Sequence, residues 1–162
     1  MNGKRILSMT FVVVLLLALC ACGGGSDEDA YYISFKEATI CPGEAAGDLL
    51  DALGEPNFKK NNGNCGGQGV QMKYSYDSFD LYLLEANDGK VTVDEISLKD
   101  DLIETPKGIA IGSKKDAVLK AYGEPTKATD KTLVYEKGKQ ELFFELNDDS
   151  AVVAITIRHV TQ

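Results

Sequence analysis

The sequence contains no tryptophan, a single histidine (His159), four prolines and four cysteines. Each scarcity excludes some chemistry. One histidine and a pair of cysteines, Cys41 and Cys65, beyond the N-terminal segment are a thin ligand set for zinc. His159 follows Arg158 near the C-terminus and reads as an edge-strand residue without a catalytic partner. No serine sits in a Gly-x-Ser-x-Gly turn. The glycine-rich stretch Gly63 to Gly69 lacks the Lys-Ser/Thr ending of a phosphate loop. Asp94-Glu95 and Asp100-Asp101 lack the ligand spacing of a calcium-binding EF-hand loop. Basic residues are also short: 17 Lys and Arg against 25 Asp and Glu, a net charge of −8. That balance argues against nucleic acid and against peripheral binding to anionic lipid, and is read as solubility for an exported domain. The expectation is therefore a non-catalytic protein with no metal and no cofactor.

A processing signal is present. Lys4 and Arg5 precede an apolar run from Phe11 to Leu19, and small residues and glycines follow. A positive head, a short apolar stretch and a small-residue end make a secretory signal peptide. The run is too short to span a bilayer comfortably, which takes about 20 residues. Its end resembles a bacterial lipobox, with Leu19 at −3, Ala21 at −1 and then Cys22. The resemblance implies cleavage before Cys22 and a diacylglycerol thioether on it, hence lipid anchoring to the cell membrane on the extracytoplasmic face. The ordinary alternative is cleavage after Ala21 without lipid. The expected organisation is a signal peptide over 1–21, a flexible Gly/Ser/acidic linker over 22–30, and two repeats over 31–101 and 102–162. Export permits a disulfide between Cys41 and Cys65, with two free thiols as the alternative.

The repeat shows in two short stretches, Asp48-Leu-Leu-Asp-Ala-Leu-Gly-Glu-Pro56 and Ala117-Val-Leu-Lys-Ala-Tyr-Gly-Glu-Pro125. Leu49, Leu50 and Leu53, and Val118, Leu119 and Tyr122, recur at helical spacing. Each predicts a helix of about three turns. Ser113 is the expected cap of the second, with Asp116 in its electropositive first turn. Gly54 and Gly123 stand where a helix ends at positive φ, and Pro56 and Pro125 forbid continuation. Glu55 and Glu124 are then solvent-facing residues of a helix stop.

Strand-like runs follow each helix: 70–76, 79–85 and 91–98, then 132–136, 141–146 and 152–157. They are rich in β-branched and aromatic residues, and Asn87-Asp88-Gly89 and Asn147-Asp148-Asp149 mark turns. Leu81 and Leu83 share one face, as do Tyr74 and Tyr76, and Leu142, Phe144 and Leu146. Short strands are also expected at 32–35 and 107–111, and 58–69 reads as a loop. The expected fold is α+β: two tandem helix-plus-three-strand repeats forming one antiparallel curved sheet, with both helices on one face.

The run from Ile111-Gly112 through Val118 to Gly123-Glu124-Pro125, with the strands and turns after it, resembles the β-lactamase-inhibitor-protein-like superfamily. It is also similar to the small outer-membrane-assembly lipoproteins, which contain one such unit. The resemblance covers about residues 31 to 160. It implies a sheet face that contacts another exported or envelope protein, as an inhibitor or an assembly factor, and a disulfide near the first helix at Cys41 and Cys65. The candidate contact residues are Tyr74, Tyr76, Phe79, Tyr82 and Tyr135, because tyrosine offers a rigid apolar body with a polar tip. Core packing is the competing role for each. A surface lipoprotein that binds a small ligand or a cation, and an unrecognised enzyme, are the alternatives.

Overall fold

The computed structural model describes residues 30–64 and 66–160. The expected signal peptide, the expected lipidation site Cys22, the expected linker up to residue 29, Cys65 and residues 161–162 lie outside the described residues. In chain order the elements are β1 (Ile33–Phe35), β2 (Ala38–Ile40), α1 (Gly47–Leu53), β3 (Phe58–Asn64), β4 (Gly69–Ser75), β5 (Phe79–Ala86) and β6 (Val91–Leu98). Then follow α2 (Lys115–Tyr122), β7 (Lys127–Ala128), β8 (Thr132–Lys137), β9 (Gln140–Leu146) and β10 (Val152–His159).

This corrects the expected fold of two helix-plus-three-strand repeats. The chain forms one eight-stranded sheet in the order β3-β4-β5-β6-β10-β9-β8-β7, with a separate β1–β2 hairpin and two short helices. Every pairing is antiparallel. The physical reason is β3. Its sequence, Phe-Lys-Lys-Asn-Asn-Gly-Asn, is polar and exposed at all seven positions, so it carries no alternation and reads as a loop. It is a strand because its backbone pairs with β4 from Phe58↔Ser75 to Asn64↔Val70. Within 126–131, β7 adds a two-residue pairing. The expected strand at 107–111 is absent: this stretch is a turn in which Thr105 N–H donates to the Ile109 carbonyl at 2.9 Å. The run at 32–35 contributes β1, which pairs only with β2.

Both helices are shorter than expected, at seven and eight residues. Lys114, not Ser113, is the N-cap of α2, and it makes no side-chain cap. The Ser113 hydroxyl instead accepts from the Ala110 N–H at 3.1 Å. Gly54 and Gly123 end the helices at φ 74° and 78° with extended ψ, a conformation open almost only to glycine. Each of their carbonyls accepts a hydrogen bond from a strand tyrosine: Tyr76 Oη at 3.2 Å on Gly54 and Tyr135 Oη at 3.0 Å on Gly123. The doubled Gly-Glu-Pro therefore stops a helix and pins its end to the sheet.

The core lies on one side of the sheet. Antiparallel partners share a face, so register assigns Leu81, Leu83, Ile96, Leu98, Ile155, Ile157, Leu142, Phe144 and Leu133 to the same side. All of these are buried in one cluster that also takes Leu53 of α1, Val118 of α2, and Ile33 and Ile40 of the β1–β2 hairpin. The hairpin and both helices thus cover that side. The other side takes neither the helices nor the hairpin, although Val134 and Glu141 are buried there too. The sheet edges are the polar β3 and the two-residue β7, forms that discourage further pairing.

Candidate functional site

The uncovered face is built by the residues that alternate with the core. Register lines six of them up across the middle strands: Lys73↔Tyr82↔Glu95↔Arg158↔Glu141↔Glu136. A second row runs Ser75↔Asp80↔Ser97↔Thr156↔Phe143↔Val134. A bulge in β6 between the partners of Tyr82 and Leu83 places Asp94 beside Glu95. The two neighbouring acids can then sit on one side of the sheet, and Asp94 accepts from Gln71 Nε2 at 2.8 Å.

Charge is paired at both flanks. On the β4–β5 side, Lys73 Nζ lies 2.6 Å from Asp80, Lys99 Nζ lies 3.6 Å from it, and the Ser75 hydroxyl donates to it at 2.6 Å. Burial pushes the Asp80 carboxyl up, but the Lys73 and Ser75 hydrogen bonds and the two lysine charges outweigh it and hold it below the usual range. The Asp80 hydrogen bond likewise raises Lys73. On the β8–β9 side, Arg158 directs Nε and an Nη to Glu141 Oε2 at 2.7 and 2.5 Å. Its guanidinium also lies 4.4 Å from the centre of the Phe143 ring. Lys127 bridges Glu136 at 2.5 Å and Glu141 at 3.7 Å.

Glu95 lies between these flanks. It is half-buried, with Tyr82 as its cross-strand partner on one side and Arg158 on the other. Arg158 is turned to Glu141, and among the described residues Glu95 makes no ion pair. Burial raises its carboxyl above the ordinary value, Asp94 adds to this, and Arg158 opposes it.

The residues expected at the site divide by face. Tyr82 stands on the uncovered face, with Lys73 Nζ 5.5 Å from its ring. Phe79 is fully buried, and Tyr76 stacks on it at 4.8 Å between ring centres. Tyr135 is buried against Phe144 and Tyr122. Tyr74 lies on the core side at the margin, under Lys59 at 5.0 Å. Four of the five therefore serve the core side. His159 is half-buried in β10, and a Cβ on Gly43 would sit 2.9 Å from its ring. Glu55 is exposed and pairs with Lys59 at 2.9 Å. Cys41 is buried beside Gln140, whose Nε2 lies 3.3 Å from its Sγ. Its expected disulfide partner, Cys65, lies outside the described residues.

Arg158, Glu141 and Phe143 were not singled out as site residues from sequence, and Glu95 was weighed there only as half of an acidic pair without calcium-loop spacing. The signal that marks them is the period of two: if Leu142, Phe144 and Leu146 face the core, Glu141, Phe143 and Glu145 face away. Among the described residues no cluster of three or more His, Cys, Asp or Glu side chains is placed to hold a metal ion. No helix among them is long and apolar enough to cross a membrane.

No protein-family model matches the chain, and no curated protein matches it. Among solved structures, a DUF4309 family protein, YjgB of Bacillus subtilis subsp. subtilis str. 168, is similar at 19% identity, with a TM-score of 0.44. The match covers 74% of this chain and 82% of that one. A likeness of that extent assigns this chain to no family and carries no function to it.

Proposed function

We propose that the chain is a lipid-anchored, extracytoplasmic, non-catalytic interaction module. Its uncovered sheet face takes a protein partner that presents a projecting lysine or arginine. The observation that carries the reading is Glu95. It is a half-buried carboxylate at the centre of the uncovered sheet face, disfavoured in its charged form and with no ion pair among the described residues, while the nearest cation is committed to Glu141. A basic side chain entering between Tyr82 and Phe143 would supply the missing charge and meet two aromatic rings, a combination that cations favour. The chain's net charge of −8 draws basic partners over longer range. The anchor rests on Lys4, Arg5, the apolar run and the Leu19-Cys20-Ala21-Cys22 stretch. It would hold this face where other envelope proteins meet it.

The test is site-specific photocrosslinking of the lipidated chain in its own membrane, with the crosslinking residue at Ser97 on the uncovered face or at Lys120 on the exposed side of α2. The expected result is one exported or envelope protein joined from Ser97 and not from Lys120, through a peptide containing Lys or Arg, and lost in Glu95→Gln. Equal capture from Lys120, or capture that persists in Glu95→Gln, refutes the face assignment. Cys22→Ala should release the chain from the membrane fraction, and retention there refutes the anchor.

A further inference from the structure

On the opposite side of the sheet, where the chain enters the fold, a cavity of about 400 Å³ opens beside the end of α2. Leu142 and Ile157, both almost fully buried, back it. Tyr31 and Tyr122 wall it, with their rings edge to face at 6.3 Å. Two cations stand over these walls: Lys107 Nζ lies 4.8 Å from the centre of the Tyr122 ring, and Lys137 Nζ lies 5.0 Å from that of Tyr31. No acidic side chain lines the cavity among the described residues, although the chain as a whole is acidic.

The walls are held in place. The Tyr31 N–H donates to the side-chain carbonyl of the buried Gln140 at 2.6 Å, and Gln140 Nε2 donates to the Pro42 carbonyl at 2.7 Å. The entering segment is thereby tied across β9. Tyr122 packs on Tyr135 and Phe144. The volume lies within the range of small-molecule sites, which are mostly apolar with a few placed polar groups.

We propose that this cavity binds a small organic anion with a flat apolar body. The body lies in the cavity against Tyr31, Tyr122 and Pro106, and the anionic group meets Lys107 and Lys137 at the mouth. The site is independent of the sheet face, which lies on the other side.

The test is an amide-resolved NMR titration of the full chain with two isosteric probes, naphthalene-2-sulfonate and the uncharged naphthalene-2-sulfonamide. The expected result is shift changes centred on Tyr31, Lys107 and Tyr122, with the sulfonate bound about tenfold more tightly. That preference should vanish in Lys107→Ala/Lys137→Ala, while the weaker sulfonamide binding stays. Lys107→Arg/Lys137→Arg should keep the preference, which separates lost charge from lost fold. Equal affinity for the two probes, shifts centred elsewhere, no binding, or a preference that survives the alanine pair overturns the proposal.

Discussion

Phe143 and Phe144 are neighbours in β9 that point to opposite sides of the sheet, so truncating each in turn measures what covers each side. Phe144 is fully buried and touches two other rings, Tyr122 at 5.5 Å and Tyr135 at 6.0 Å between centres. Phe→Ala in a core costs about 3–5 kcal/mol. The two ring contacts, worth roughly 0.5–1.5 kcal/mol each beyond area, place Phe144→Ala at the upper end of that range. Phe143 is half-buried, and the Arg158 guanidinium lies over its ring at 4.4 Å. A cation over an exposed ring contributes about 0.5–1 kcal/mol, so with its partial burial Phe143→Ala should cost about 1–1.5 kcal/mol. The difference of about 3 kcal/mol corresponds to roughly 6–12 °C in melting temperature for a chain of this length. Thermal melts followed by circular dichroism, with urea unfolding as a check on the free energies, read both values. Equal losses for the two variants would refute the account of a one-sided core, because Phe143 would then have to be packed under something.

Three further outcomes follow from single sites. A Cβ on Gly69 would lie 2.1 Å from the Glu85 carbonyl oxygen, a backbone atom that cannot step aside, so Gly69→Ala should cost several kcal/mol. Gly89→Ala meets open space at φ 80° and should cost only about 1 kcal/mol, and urea midpoints that fail to separate the two refute the close approach. The Tyr135 hydroxyl donates to the Gly123 carbonyl at 3.0 Å, and Tyr135→Phe should cost about 0.5–1.5 kcal/mol; no loss in the same unfolding assay would mean that this bond does not hold the end of α2. Burial and Asp94 raise the Glu95 carboxyl, so the folded chain holds this proton more tightly than the unfolded one. Stability from that group is then full below its unfolded value and lost as the pH rises through the folded one, so Glu95→Gln should gain on the wild type as the pH rises above about 4. Melting curves across that rise would contradict this if the variant fell behind as the pH rose.

The sequence reveals the core side of the sheet more readily than its topology. Alternation in Leu81–Leu83 and in Leu142–Phe144–Leu146 marks the residues that pack, because a strand covered on one face must alternate. Tyr74 and Tyr76 do share a face, but it is the core side: Tyr76 spends its ring on Phe79 and its hydroxyl on Gly54. Tyrosine's double character, apolar body and polar tip, suits a helix-end latch as well as an interface, and composition does not separate the two. The polar β3 is invisible to periodicity because backbone pairing, not burial, makes it a strand. The β6–β10 pairing at the centre of the sheet joins residues some 60 apart, such as Leu98 and Ile155, and no local signal marks it. Glu95 is legible only as one of many acids until that pairing sets Arg158 beside it and Glu141 draws the arginine away.

The most direct test of the uncovered face as the binding face is hydroxyl-radical footprinting of the full chain, isolated in detergent and in intact cells. The account predicts labelling of Tyr82 and Phe143 and protection of Phe79 and Phe144 in the isolated chain, with Tyr82 and Phe143 becoming protected in cells. Tyr82 and Phe143 protected already in the isolated chain, or labelled equally in both settings, would contradict it.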